Sequence, residues 1–175
     1  MMSNQIIITG VESSGKTTLS GSLSKFTQWP CVPEYARTDP AVLAGLHGPM
    51  DLERLMLEQA NEALRLAANG PVLCDTGAIV LSIWSEVRFG IALPGAKEVA
   101  QRAGLYLLCE PDLPWEADPL RDMPDFKERK DLHEKYKERL IAWELPHAPI
   151  RGNAHEGRFQ QALAAIREAG FAFSE

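Results

Sequence analysis

A glycine-rich segment near the start of the chain constrains the fold more than any other feature. Three consecutive isoleucines at positions 6–8 favour a buried strand, and they lead into residues 10–17, which read GVESSGKT. Directly afterwards, Leu19, Leu23 and Phe26 have the spacing of one helix face. A G-x-x-x-x-G-K-[ST] pattern between a strand and a helix predicts a P-loop, in which backbone N–H groups and the helix N-terminus surround a phosphate.

The residues of this loop have distinct expected roles. Gly10 and Gly15 permit backbone angles that aim successive N–H groups inward. Lys16 is expected to reach the β and γ phosphates of ATP, and Thr17 to place its hydroxyl on Mg²⁺, with Thr18 a less favoured ligand. A glycine-rich turn that binds nothing is the alternative. The residues predicted to bind ATP in this segment are Gly10, Glu12, Ser13, Ser14, Gly15, Lys16, Thr17 and Thr18.

The composition of the whole chain excludes several other classes. The 175 residues suit one domain spanning positions 1–175, with an ordinary globular balance of 45% hydrophobic and 24% charged residues. The net charge of −6 disfavours a nucleic-acid partner. No apolar run approaches the roughly 18 residues of a membrane span, and the first residues lack the basic region of a secretory signal. We therefore expect a cytoplasmic protein, and the sequence leaves its oligomeric state open.

Short apolar strands alternate with amphipathic helices five times along the chain. This order predicts an α/β, three-layer P-loop NTPase fold with a five-stranded parallel sheet. Residues 110–124 contain four prolines and no periodicity, and we expect a lid at about residues 111–130. The predicted strands are 5–9, one ending near Glu34, 71–77, 105–109 and about 148–151; the predicted helices are 16–26, 50–68, 78–89, 96–103, 125–143 and 156–169.

Several smaller features carry local predictions. Asp51 is available as the N-cap of the 50–68 helix. The histidines at positions 47, 133, 147 and 155 lack the spacing of a metal site or a catalytic triad, and we expect them on the surface. Cys31, Cys74 and Cys109 lack C-x-x-C spacing and are expected to be small buried hydrophobic residues.

Acidic residues at strand ends are candidates for chemistry, because ligands of parallel sheets lie beyond the carboxyl ends of the strands. Asp75 ends an apolar strand where P-loop proteins hold a Walker B carboxylate, and it could bind Mg²⁺, act as a base or cap the next helix. Glu34 ends the second strand beside the expected acceptor site. It could take a proton from a hydroxyl, hold a ribose diol or pair with Arg37 on the surface. Arg37 could bind substrate, and Tyr35 could bind substrate or pack in the core.

Cationic and aromatic side chains complete the candidate site. Arg121 and Arg129 flank the proline-rich loop and could close over ATP, where an arginine at the γ-phosphate is worth about 10³ to 10⁵ in rate. A solvated helix face is the alternative for Arg129. Trp84 and Trp115 could stack on a base or pyridine ring, or pack against the core. Asn153, in the turn after the fifth strand, could lie against adenine or form a plain turn.

Five segments spread over nearly the whole chain share unusual sequences with one known family. They are residues 10–17, Pro33-Glu34-Tyr35-Ala36-Arg37, Cys74-Asp75-Thr76, Trp84-Ser85-Glu86 and 114–121. In these segments the chain resembles the ribosylnicotinamide kinase domains of NadR-type proteins and their stand-alone AAA-type ATPase relatives. The resemblance implies a P-loop kinase fold, ATP with Mg²⁺, and transfer of the γ-phosphate to the 5′-hydroxyl of nicotinamide riboside in NAD salvage.

The chain departs from this family at three positions near the expected acceptor site. Gly77 stands where a second acidic residue often occurs, Val80 where a threonine occurs, and Pro33 where the bifunctional members can carry an aromatic residue. If those groups bind metal or substrate, the activity is altered. The length also leaves no room for an adenylyltransferase domain, so we expect this chain to make the mononucleotide but not NAD.

Two other functions remain open from the residues alone. One is a kinase for another nucleoside or a small hydroxylated metabolite. The other is a regulatory ATPase that binds and slowly hydrolyses ATP and acts through a protein partner.

Overall fold

In a computed structural model that describes residues 3–173, helices cover both faces of a five-stranded parallel sheet. The order across the sheet is β2-β3-β1-β4-β5, and each neighbouring pair is parallel. The predicted three-layer P-loop NTPase fold is therefore confirmed. The strands are β1 (Gln5–Thr9), β2 (Cys31–Val32), β3 (Val72–Asp75), β4 (Leu105–Cys109) and β5 (His147–Ile150).

The helices divide between the two faces of the sheet. Side chains of β1 alternate between the two faces. Ile6 and Ile8 pack with the helices at residues 16–27 and 155–168, whereas Ile7 packs on the opposite face with the helices at residues 49–67, 78–89 and 96–100. The sheet is thus buried on both sides, which explains why its strands are apolar throughout. The helices are α1 (Lys16–Thr27), α2 (Pro40–Leu43), α3 (Pro49–Ala67), α4 (Ala78–Phe89), α5 (Ala96–Ala100), α6 (Phe126–Ala142) and α7 (His155–Glu168).

The segment between β2 and α3 differs from the sequence prediction. The expected loop contains the short helix α2, because the Asp39 carboxylate accepts hydrogen bonds from the amides of Ala41 and Val42, and Pro40 suits the first helical position. The sequence suggested Asp51 as the N-cap of α3, and this prediction was wrong. Asp51 lies three residues inside the cap position, and its carboxylate accepts from the Gly48 amide at 2.9 Å.

A long connection links β4 to α6 across the carboxyl edge of the sheet. Residues 110–125, the lid loop, contain neither helix nor strand, as their prolines predicted. The Asp125 carboxylate ends this loop by accepting from the Glu128 amide at 2.9 Å, which caps α6. The lid loop therefore begins at the end of a central strand and ends at a fixed helix start.

The sequence predicts that the three cysteines are small buried residues. All three cysteines are free thiols; Cys74 and Cys109 are buried and Cys31 is partly buried. Burial raises the pKa of Cys74 to about 12, so this thiol is protonated at neutral pH.

Within residues 3–173, no helix has both the length and the apolar character needed to cross a membrane.

Removing apolar volume from the central strands should destabilise the protein strongly. Leu107 of β4 is fully buried, so Leu107→Ala should lower the free energy of unfolding by about 2–5 kcal/mol through lost burial and a residual cavity. Leu46→Ala is the matched control, because Leu46 is 81% exposed and its truncation should cost less than about 0.5 kcal/mol. Urea unfolding followed by circular dichroism measures both. Equal losses would contradict the placement of β4 in the core.

Candidate functional site

A cavity of about 530 Å³ lies beyond the carboxyl ends of β1 and β2. It brings three parts of the chain together: the P-loop, the residues that follow β2, and the lid loop. A ligand of nucleotide size at the P-loop would therefore adjoin a second compartment in the same space. The predicted residues that line it are Gly10, Glu12, Ser13, Ser14, Gly15, Lys16, Thr17, Thr18, Glu34, Arg37, Trp84 and Arg121.

Two glycines of the P-loop have positive φ angles and closely packed neighbours. Gly10 has φ 138°, and a Cβ there would lie 2.6 Å from the Cys109 carbonyl oxygen. Gly15 has φ 78°, and a Cβ there would lie 2.8 Å from the Leu113 side chain. A side chain at Gly10 would therefore clash with backbone, whereas one at Gly15 would strain the backbone and displace the end of the Leu113 side chain. The turn leads into the N-terminus of α1, whose partial positive charge favours an anion.

Polar side chains of the P-loop hold its shape. The Ser14 hydroxyl and the Lys16 ammonium group each donate to the Val11 carbonyl oxygen at 2.7 Å. Lys16 is thus folded over the loop, where its charge adds to that of the helix N-terminus. Thr17 and Thr18 are exposed at the start of α1. This arrangement can bind a polyphosphate, with the ammonium group at the phosphate oxygens.

Asp75 lies beside the P-loop strand and has an unpaired buried oxygen. It is 3% exposed and pairs in register with Ile8 of β1. Its Oδ1 atom has no hydrogen-bond partner within residues 3–173. Because burying an unpaired carboxylate oxygen is costly, this atom suits a hard cation such as Mg²⁺. Thr17 at the start of α1 offers a further oxygen. Among residues 3–173, no three or more His, Cys, Asp or Glu side chains form a group that could hold a metal ion by themselves.

Glu34 follows β2 and lines the cavity. Its side chain is 15% exposed, and its Oε2 accepts from Arg37 Nε at 2.9 Å. Arg37 also donates to Asp118 Oδ2 of the lid loop at 2.9 Å. Burial raises the pKa of Glu34, an effect that nearby Lys16 and Arg37 partly offset. The pairing with Arg37 is present, but it lies in the cavity and not on the open surface.

A buried glutamine that the sequence reasoning missed connects the two acidic positions. The side-chain amide of Gln59 in α3 donates to the carbonyl oxygens of Asp75 and Thr76 at 3.2 and 3.1 Å, and its oxygen accepts from the Tyr35 amide at 3.4 Å. Gln59 thus fixes the end of β3 relative to the turn that bears Glu34. Its position on the apolar face of α3 was the available signal. Tyr35 itself packs against the core and is not in the cavity wall.

The two candidate lid arginines occupy different environments. Arg121 is part of the cavity wall, and its Nη1 donates to the Glu116 carbonyl oxygen at 2.9 Å. Arg129 is 3% exposed, does not line the cavity, and donates weakly to the Leu113 carbonyl oxygen at 3.4 Å. Trp115 is also outside the cavity wall and donates to Glu12 at 2.7 Å. Of these three residues, Arg121 is the one placed to contact a ligand.

The far end of the cavity is apolar and aromatic. Trp84 lies there among Val42, Leu43, Val80 and Ile83. Such a wall suits a flat ring.

His47 supports this end, and the prediction that it is exposed was wrong. It is 8% exposed, and its ring centroid lies 5.0 Å from that of Trp84 and 5.8 Å from that of Phe89. Burial, with a smaller effect of Arg88, lowers the pKa of His47, so its ring is neutral at neutral pH. The loop before α3 therefore folds inward instead of facing solvent.

The predicted surface position of His133 was also wrong. It is 1% exposed, and its Nε2 lies 3.0 Å from Glu110 Oε2 at the end of β4. His147 and His155 are exposed, as expected. Asn153 is exposed and does not line the cavity.

Arg158 is a further residue that the sequence reasoning missed. It is 3% exposed and donates to the Ser14 carbonyl oxygen at 2.7 Å and to the Gly152 carbonyl oxygen at 2.9 Å. Arg158 therefore connects the P-loop to the turn after β5 through hydrogen bonds to both segments. Its spacing of four and eight residues from Ala162 and Ile166, on the buried face of α7, was the available signal.

Truncating Arg158 should weaken both the fold and the P-loop. Arg158→Ala removes the donor to the buried Ser14 carbonyl oxygen and the donor to the Gly152 carbonyl oxygen, so the free energy of unfolding should fall by about 1–3 kcal/mol and ATP affinity should fall. Arg151→Ala is the control, because Arg151 is exposed and contacts Glu110 at 3.5 Å. Urea unfolding and titration calorimetry with ATP measure the two effects. Unchanged ATP affinity in a folded Arg158→Ala protein would contradict this role.

Two solved structures of the NadR protein share the fold of this chain. The NadR protein in complex with NR aligns with a TM-score of 0.73 and 22% identity over 99% of this chain and 54% of that one. The NadR protein in complex with NAD and AMP-PNP gives 0.74 and 20% over 99% and 51%. This chain thus spans about half the length of those two chains. The likeness predicted from sequence to NadR-type domains is confirmed as a likeness of fold.

A deoxyadenosine kinase from M. mycoides with bound dCTP shares the fold at a lower level, with a TM-score of 0.60 and 11% identity over 94% of this chain and 99% of that one. No protein of curated function matches in sequence. The sequence pattern of the AAA domain family matches residues 5–158, which include the P-loop, Glu34, Asp75 and the lid loop. The chain therefore belongs to the AAA domain family.

Proposed function

We propose that this protein is an ATP-dependent kinase that transfers the γ-phosphate to the 5′-hydroxyl of nicotinamide riboside. The observation that carries the proposal is the continuity of the cavity, which joins the P-loop to a compartment containing Glu34, Arg37 and Trp84. A regulatory ATPase needs the first part alone. A kinase needs both, because donor and acceptor must lie in one enclosed space.

The donor half accounts for nucleotide binding. Lys16 and the amides of the P-loop bind the phosphates, and Thr17 and Asp75 would hold Mg²⁺, which would neutralise charge on the phosphates. Arg121 supplies a further positive charge from the lid loop. These groups stabilise the charge that spreads over the transferring phosphoryl group and the ADP that leaves.

The acceptor half accounts for a nucleoside. The ring of the base lies against Trp84 in the apolar end, and the ribose lies toward Glu34 and the P-loop. Glu34 takes the proton of the 5′-hydroxyl while that oxygen bonds to the γ-phosphorus and the bond to ADP breaks. Arg37 orients the Glu34 carboxylate through the 2.9 Å hydrogen bond. Asp75 is the alternative base.

Two family departures shape this half. Val80 lies in the wall of the apolar end, so it adds apolar surface where relatives carry a hydroxyl. A Cβ at Gly77 would lie 3.0 Å from the Ile7 side chain, so a larger residue needs that side chain to move by a few tenths of an ångström. The structures of NadR with NR and with NAD and AMP-PNP support a pyridine nucleoside as the acceptor, and deoxyadenosine kinase supports other nucleosides as the alternative.

A panel of acceptors tests the proposal. With ATP and Mg²⁺, nicotinamide riboside should yield ADP and a 5′-monophosphate in equal amounts, measured by chromatography, at a higher kcat/KM than adenosine, deoxyadenosine or thymidine. Lys16→Ala and Asp75→Asn should reduce transfer by about 10² or more, because each removes charge stabilisation. Preference for another nucleoside would change the acceptor, and ATP hydrolysis without any phosphorylated product would reject the kinase.

The pH profile tests Glu34 as the base. A base must be ionised, and the pKa of Glu34 is raised by burial, so kcat/KM should fall as the pH drops through a value above that of an ordinary glutamate. Glu34→Gln should lose about 10² to 10⁴ in kcat/KM and lack this acid limb. The same limb in Glu34→Gln, or full activity, would assign the proton transfer to another group, with Asp75→Asn as the matched comparison.

A further inference from the structure

The lid loop is held to the P-loop by Glu12, a residue that the P-loop pattern alone would assign to ATP. Glu12 Oε1 accepts from the Trp115 indole N–H at 2.7 Å and from the Met123 amide at 2.9 Å. Glu12 Oε2 accepts from the Asp122 amide at 3.2 Å. Both carboxylate oxygens are therefore engaged by the lid loop.

The next P-loop residue makes a second attachment to the same loop. The Ser13 hydroxyl accepts from the Glu116 amide at 3.1 Å. The carbonyl oxygen of Glu116 in turn accepts from the Arg121 guanidinium group at 2.9 Å. Residues 115–123 are thus attached to the P-loop at both ends.

Arg121 lies inside the attached stretch. Asp122 and Met123, the two residues that follow Arg121, both donate to Glu12. The Arg121 side chain lines the cavity, its Nε is buried without a partner, and no carboxylate forms an ion pair with it among residues 3–173. Its charge is therefore available to a ligand, in a position set by the backbone around it.

We propose that Glu12 is a positioning residue, which acts through the lid loop to hold Arg121 over the phosphates bound by the P-loop. A carboxylate that faced a polyphosphate directly would be repelled by it. Because the Glu12 carboxylate instead accepts from three N–H groups of the lid loop, its charge strengthens each of these hydrogen bonds and holds the lid loop against the P-loop. The proposal rests on the proposed kinase function for its effect on rate, whereas the attachment itself does not.

Kinetics of single and double variants test the effect on rate. Glu12→Ala should lower kcat by about 10² while the KM of the acceptor changes little, because a misplaced charge acts on the transition state. Arg121→Ala should lower kcat at least as much. If Glu12 acts through Arg121, the double variant should be no slower than Arg121→Ala. Multiplied losses, or an unchanged kcat in Glu12→Ala, would overturn the proposal.

Conservative variants separate positioning from general damage. Glu12→Gln keeps one oxygen acceptor and should recover part of the lost kcat. Trp115→Phe keeps the ring and removes one donor, so its loss should be smaller than that of Glu12→Ala. Glu138→Ala, at an exposed position of α6, is the matched control for removing an acidic side chain. A loss in Trp115→Phe with none in Glu12→Ala would contradict the attachment.

Amide hydrogen exchange tests the attachment without turnover. The amides of Asp122 and Met123 donate to Glu12, so in Glu12→Ala both should exchange at least about tenfold faster, while Glu138→Ala leaves them unchanged. Unchanged exchange in Glu12→Ala would overturn the proposal whatever the acceptor is. Faster exchange in a protein that phosphorylates no acceptor would reject the proposed kinase and retain the attachment.

Discussion

The contact between the P-loop and the end of β4 determines where the rest of the site can be. Gly10 turns directly against the Cys109 carbonyl oxygen, and a single added carbon would lie 2.6 Å from that atom. Because β4 continues into the lid loop, this close approach brings Leu113 against Gly15 and the lid loop over the phosphate-binding turn. Arg158 fixes the turn from the other side through the Ser14 carbonyl oxygen. The P-loop is thus held between the end of β4 and α7 by close packing and a hydrogen bond.

Three carboxylates of this region have distinct environments, and two of them, Glu12 and Glu34, line the cavity. Glu12 faces the amides of the lid loop, Glu34 pairs with Arg37, and Asp75 keeps a buried oxygen without a partner. Glu12 therefore holds the lid loop, Glu34 is held by a guanidinium group, and the unpaired Asp75 oxygen is suited to a cation. Arg37 also reaches Asp118 of the lid loop, so this loop contacts the residues after β2 as well as the P-loop.

Local sequence patterns were sufficient where a segment has one role. The apolar run 105–109 was predicted to the residue, because continuous apolarity with flanking breakers is itself the property of a buried parallel strand. Polar residues with tertiary partners were not predictable in this way. His47 stands in a stretch interrupted by glycine and proline and Arg129 in a run of charged residues, both typical of a protein surface, yet both side chains are buried. His47 packs against Trp84 and Phe89 of α4. Glu12 belongs to the P-loop pattern, but its partners lie more than a hundred residues later.

The central claim is that donor and acceptor occupy adjoining parts of one cavity. The most direct measurement is competitive binding of a bisubstrate compound, in which the 5′-oxygen of nicotinamide riboside is joined to the terminal phosphate of an adenosine polyphosphate. Calorimetry should give one site per chain and an affinity at least about 10² above that of an unlinked ATP analogue, since the second contact becomes intramolecular. The compound should displace both the ATP analogue and the nucleoside. Displacement of the ATP analogue alone, with the nucleoside still bound, would contradict the account.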